Sequence, residues 1–204
     1  MYRVIYMKPP YYYWKNALPQ LSIDRILNYI ETECEFLQGT IIPYSMAGGQ
    51  NVYFPKERRC EVYLFDIENC SHIIEREVCL ELIRLGREVN EIWNFDLDFS
   101  NVQIQIARYN EPNDFFDWHN DDHILNDNWP RKLTISIVLK ECEEGGMFEF
   151  ENFKTDENGN STIEYEGKLG NAVAFPSYEY HKVNPVTKGT RISLVGWFHG
   201  KSWA

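Results

Sequence analysis

At 204 residues, 44% hydrophobic and 15% aromatic, the chain can bury a full core and is too apolar for a disordered segment. Its 20 basic and 31 acidic residues leave a net charge of −11, which opposes indiscriminate attraction to nucleic acid phosphates and otherwise reads as solubility. Five scattered cysteines without a C-x-x-C pair, no apolar run of membrane length and no signal-peptide core predict free thiols in a soluble, cytoplasmic protein.

Taken in chain order, residues 2–7 (YRVIYM) alternate weakly as a short strand that Pro9 and Pro10 stop. The aromatic run 11–14 (YYYW) reads as core, or else as a recognition surface. From Ser22 to Phe36, Ile23, Ile26, Leu27, Ile30 and Cys34 recur at helical spacing, continued by Leu37. Ser22 is the expected N-cap of that helix and Gly39 its stop. The stretch 41–59, with small and turn residues, is a loop with the makings of a lid. Residues 60–66 (CEVYLFD) predict a strand, and Ile74, Val78, Leu82, Leu85, Val89 and Ile92 mark a second helix over 71–93. Both helices are packing elements.

Beyond residue 100 the pattern changes to strands separated by turns: 101–109, 132–140, 147–153, 162–167, 171–176 and 191–198. Gly145-Gly146 and 156–160 (DENGN) supply turn chemistry. The expectation is one domain over 1–204, mainly β with flanking helices (α+β). Residues 1–95 give helical support and outer strands, and 96–200 form antiparallel sheets of the sandwich or jelly-roll kind.

Two segments of this β half carry chemistry. In 116–122 (FDWHNDD), His119 and Asp121 stand at i and i+2, so an extended backbone sends both side chains to one face. His181 lies far downstream, where a jelly roll brings distant strands face to face. Two imidazoles and a carboxylate leave open positions on non-haem Fe(II). Arg191 opens a strongly apolar strand and needs an anion to offset its desolvation. That anion is a structural Asp or Glu, or a dicarboxylate such as 2-oxoglutarate gripped by the guanidinium fork. Ser193 points to the same face and can donate a hydroxyl hydrogen bond.

Over roughly residues 93–198 these motifs resemble the Fe(II)/2-oxoglutarate-dependent dioxygenases of the prolyl 4-hydroxylase type, including short bacterial and phage-like members. Tyr109 stands ten residues before His119, where the family's co-substrate tyrosine lies, and 144–150 (EGGMFEF) looks like the family's glycine-opened strand. His181, Arg191 and Trp197 follow in the family's order and spacing. The resemblance implies a double-stranded β-helix (jelly-roll, cupin-like) core and Fe(II) held by His119, Asp121 and His181. It further implies 2-oxoglutarate and dioxygen as co-substrates, ascorbate as an accessory reductant, and succinate and CO2 as by-products. The tyrosine that some members carry after the H-x-D loop is missing from 131–140, so Tyr109, Ser193 or Thr134 must supply that contact.

The implied activity is hydroxylation of an amino-acid side chain, with a prolyl residue in a protein or peptide as the leading substrate. The alternatives are a free amino acid or small metabolite, or a non-catalytic jelly-roll metal-binding module; the acidic charge disfavours nucleic acid. The 118–131 loop, with Trp118 and Trp129 beside the ligands, is the best candidate for substrate contact. His123 and His199 are bystanders.

Overall fold

The structure, a computed structural model, describes residues 9–41, 53–122, 124–125, 129–151, 162–165 and 167–201. Two helices, α1 (Gln20–Glu33) and α2 (Ile73–Trp93), precede most of the strands. Eight strands form a major sheet: β1 (Tyr12–Trp14), β2 (Leu37–Gln38), β4 (Glu61–Asp66), β5 (Leu97–Asn110), β7 (Ile124–Leu125), β8 (Trp129–Lys140), β12 (Ala172–Pro176) and β14 (Thr190–Gly200). Six form a minor sheet: β3 (Arg58–Arg59), β6 (Asp114–His119), β9 (Glu144–Gly145), β10 (Phe148–Glu151), β11 (Thr162–Tyr165) and β13 (His181–Lys188). All the pairings are antiparallel. The architecture is a jelly roll with helices on one side.

The period-2 alternation of the central strands sorts the core into two layers. Val102, Ile104 and Ile106 of β5, Leu133 to Leu139 at odd positions of β8, and Leu194 and Phe198 of β14 pack against both helices. The opposite parity of the same strands faces the minor sheet, where Ala107, Tyr109, Val138, Val173 and Phe175 meet Phe148, Phe150, Val183 and Val186. That parity also turns Arg191, Ser193, Thr134 and Gln105, all buried, toward the space between the sheets.

A close helix–sheet approach is built on Gly86 in α2. A Cβ there would lie 2.6 Å from Cζ and 2.7 Å from Cε1 of the fully buried Phe198. Helix propensity favours Gly86→Ala by about 1 kcal/mol, but overpacking of this kind costs about 1–3 kcal/mol. The variant should therefore be less stable than the parent, as denaturant melts would measure.

Several elements differ from the sequence expectation. Helix α1 begins at Gln20 and ends at Glu33, because the Pro19 carbonyl accepts the first helical N–H bonds, from Ser22 (3.0 Å) and Ile23 (3.2 Å). Ser22 thus lies within the first turn, and Leu37 belongs to the exposed β2. Helix α2 is capped by His72, whose ring accepts from Ile74 N–H while Glu75 accepts from His72 N–H. Strand β13, with Pro185 inside it, was not anticipated; the pairing to β6 shifts register between Val183 and Val186, and a bulge is where a sheet tolerates proline. The run 11–14 is half-buried against the core, Tyr11 stacking on Phe150 and Tyr13 meeting Tyr165 edge-on, while Tyr12 is exposed. The expected strand 2–7, the turn 156–160 and most of the 41–59 loop lie outside the described residues. Among the described residues, no helix is long and apolar enough to cross a membrane.

Candidate metal centre

Backbone pairing brings the two histidines together. His119 ends β6 and His181 begins β13, and the two are direct cross-strand partners with ring centroids 4.1 Å apart. Asp121 follows two residues after β6, where its amide donates to the Ser177 carbonyl at 2.7 Å. His119 Nε2 stands 3.8 Å from Asp121 Oδ1, and His181 Nε2 stands 3.6 Å from Oδ2. One ligand atom from each residue lies within 4.8 Å of the others, and these three form the cluster suited to a metal among the described residues.

Each donor is oriented from behind. His119 Nδ1–H donates to the Asp117 carbonyl (2.7 Å) and His181 Nδ1–H to the Glu179 carbonyl (2.9 Å), assignments that leave both Nε2 lone pairs facing Asp121. Thr134 donates its hydroxyl to Asp121 Oδ2 at 3.0 Å and lies 3.0 Å from the Ser177 hydroxyl. Phe116 stacks on His119 at 3.4 Å, and the Arg58 guanidinium lies over the Phe116 ring at 4.4 Å. Phe148, Phe150 and Phe175 enclose His181. A soft-edged N/N/O set with aligned lone pairs suits a divalent transition ion such as Fe(II), and three ligands leave coordination positions open.

The electrostatics agree with a cation site. Burial works against the Asp121 charge, but His181, His119, Arg131 and Trp197 outweigh it and pull the carboxyl down to about 2. Burial, and then the neighbouring His181, hold the His119 imidazole well below its ordinary value, so it is neutral in the folded protein around pH 7. Unfolding frees it to bind a proton below about pH 6.5. This contribution to stability is full above that pH and is lost as pH falls toward the folded-state value, because the unfolded chain then binds more protons. Metal-free protein should accordingly melt at lower temperature as pH drops from about 7 to about 5. His119→Gln should flatten the slope only in part, since burial also holds His199 low.

Arg191 is the other pole of the site. It lies on β14 directly opposite Tyr109 of β5, is 4% exposed, and donates from Nη1 to the Ser193 hydroxyl. Its guanidinium sits over the Tyr109 ring at 6.0 Å. No carboxylate pairs with it among the described residues. Burial lowers its pKa, opposed by Tyr109, Cys142 and Tyr165. Burial likewise pushes the Tyr109 phenol up; Cys60 adds to that, Arg58 and Arg191 oppose it, and Asp121 adds again. Tyr109 therefore feels the charges of both Arg191 and Asp121. A buried guanidinium without a protein anion fits an anionic ligand.

The structure thus gathers His119, Asp121 and His181 at one point, and Arg191, Ser193 and Tyr109 at another on the same interior. Thr134 is engaged with Asp121. His199, bonded to the Asn101 carbonyl, is outside the cluster, and His123 is outside the described residues. Trp118 lies under the Lys182 ammonium at 4.8 Å. The sequence reading missed Arg58, Phe116, Ser177 and Tyr165. The pair Arg58-Arg59 was part of an apparent loop, and its one signal was an arginine two residues before a strand.

Residues 104–199 match the profile of the 2OG-Fe(II) oxygenase superfamily. A PKHD-type hydroxylase of Picosynechococcus is 32% identical over 125 residues, covering 60% of this chain and 53% of the relative. The chain spans about half the length of the curated relatives it matches. Among solved structures, a Pseudomonas putida prolyl-4-hydroxylase superposes with a TM-score of 0.66 at 18% identity, over 95% of this chain and 94% of that one. A Trichoplax adhaerens prolyl hydroxylase in complex with a hypoxia-inducible-factor peptide fragment gives 0.69 at 16% identity, over 93% and 83%. Residues 104–199 thus resemble the 2OG-Fe(II) oxygenase superfamily, and the chain adopts the fold seen in prolyl hydroxylase structures.

Proposed function

We propose that this protein is an Fe(II)- and 2-oxoglutarate-dependent dioxygenase that hydroxylates an amino-acid side chain, with a prolyl residue in a peptide or protein as substrate. The carrying observation is the pairing of a His119/Asp121/His181 donor cluster with a buried arginine that has no protein carboxylate among the described residues. The hydroxylase names of the relatives and the peptide bound to the Trichoplax enzyme support the choice of substrate. A cytoplasmic setting agrees with its five free cysteines.

When bound, the iron and 2-oxoglutarate supply the oxidising chemistry, in which one oxygen atom of O2 enters succinate and the other becomes the product hydroxyl. His119 and His181 present neutral Nε2 atoms and keep their Nδ1 protons on backbone carbonyls. Asp121 supplies the negative charge, aimed by Thr134 and by its own amide on Ser177. Arg191, held by Ser193, would bind the distal carboxylate of 2-oxoglutarate, with the buried Tyr109 ring beside the guanidinium. The phenylalanine rings around His181 keep water from its far side.

Anaerobic addition of Fe(II) and 2-oxoglutarate should produce a visible charge-transfer band. Admission of oxygen should then yield succinate, and a proline-containing peptide pool should gain one oxygen atom by mass. A protein that gives neither band nor succinate would end the oxygenase reading. Succinate without a modified peptide would end the prolyl reading alone.

A further inference from the structure

The mechanism above leaves one buried polar group unused. Tyr165 closes β11, pairs with Phe148 of β10, and is 7% exposed between the rings of Tyr13 and Phe148. Its hydroxyl is fully buried and has no hydrogen-bond partner among the described residues. The hydroxyl of Tyr13, whose ring meets that of Tyr165 edge-on, accepts from Asn171 at 2.7 Å. Leaving such a group unpaired costs about 1–3 kcal/mol, so the orphan calls for an acceptor.

The arrangement around Gly167 says where that acceptor sits. A Cβ at Gly167 would lie 3.8 Å from Tyr165 Cε1, 3.3 Å from Val138 Cγ2 and 3.9 Å from Arg191 Nη2. The tyrosine ring and the guanidinium therefore border the same small space, kept open by a residue without a side chain. One side of it holds a hydroxyl without an acceptor, and the other a cation without an anion. A water molecule would satisfy the first and leave the second uncompensated. A carboxylate satisfies both, one oxygen accepting from each donor.

We infer that Tyr165 is a binding residue for the co-substrate, donating its hydroxyl to the distal carboxylate that Arg191 grips. The inference rests on the 2-oxoglutarate reading given above. The phenol is suited to donate rather than to ionise, because burial pushes its pKa up, with Tyr13 adding and Arg191 opposing.

Tyr165→Phe removes the hydroxyl and keeps the ring. Its effect is read by anaerobic calorimetric titration of the Mn(II)-loaded protein with 2-oxoglutarate, and with pyruvate, a 2-oxo acid lacking the distal carboxylate. The variant should bind 2-oxoglutarate about 10-fold more weakly or worse, as for loss of a hydrogen bond to a charged group. Its pyruvate affinity should be unchanged. Because the hydroxyl has no partner among the described residues, melting without 2-oxoglutarate should be unchanged or slightly raised. Unchanged 2-oxoglutarate affinity, or equal losses for both acids, overturns the inference while the co-substrate reading stands. Failure of the parent protein to bind 2-oxoglutarate overturns both.

Discussion

Replacing His181 with alanine should reduce Fe(II) affinity by more than about 100-fold and remove succinate formation, since even the outer partners of metal ligands are worth roughly 10–100-fold. The local surroundings explain why nothing would compensate. His181 is 4% exposed, and the rings of Phe148, Phe150 and Phe175 surround it. The space left by the imidazole would be apolar, a poor place for a substitute water ligand. His199→Gln is the matched control: that histidine is also buried but bonds the Asn101 carbonyl outside the cluster, so metal affinity should persist. Anaerobic titration with Fe(II), followed by a succinate assay, measures both. Parental metal affinity in His181→Ala would remove this residue from the site.

Arg191→Leu should weaken 2-oxoglutarate binding by roughly 100-fold, the scale of losing charge-assisted hydrogen bonds from a two-pronged donor. The more informative measurement is stability without ligand. A structural arginine paired to a carboxylate costs about 3–5 kcal/mol to truncate, because its partner is left charged and buried. Arg191 has no such partner among the described residues; its protein bonds are to Ser193 and the Tyr109 face. Removing an uncompensated buried cation should leave the ligand-free protein as stable as the parent or more so. Arg191→Lys should not restore affinity, because a point charge lacks the planar fork. Severe ligand-free destabilisation of the leucine variant would return the residue to a structural role.

How far the sequence disclosed this site depended on which interactions leave a periodic trace. The alternation in β5, β8 and β14 was readable, and with it the shared face of Arg191 and Ser193. The i, i+2 spacing of His119 and Asp121 likewise announced a common direction. Strand β13 left no such trace: HKVNPVTK has a proline and no clean alternation, and its place comes from pairing with β6 and β10. Arg58 and Tyr165 were invisible for a related reason. Each is far in sequence from the residues it faces, and an arginine before a strand or a tyrosine at the end of one is ordinary. The start of α1 was misread because a serine is a frequent cap, whereas here the Pro19 carbonyl takes that end of the helix.

The tether on Asp121 carries a consequence for how such a protein diversifies. Its amide donates to the Ser177 carbonyl and its carboxylate accepts from the Thr134 hydroxyl, both partners lying beyond residues 122–128 in the chain. The direction of the ligand is therefore set by bonds to partners that substitutions at residues 122–128 leave in place. In the proposed oxygenase this places reactivity and selectivity under separate control, so that a change of substrate need not disturb the metal ligand.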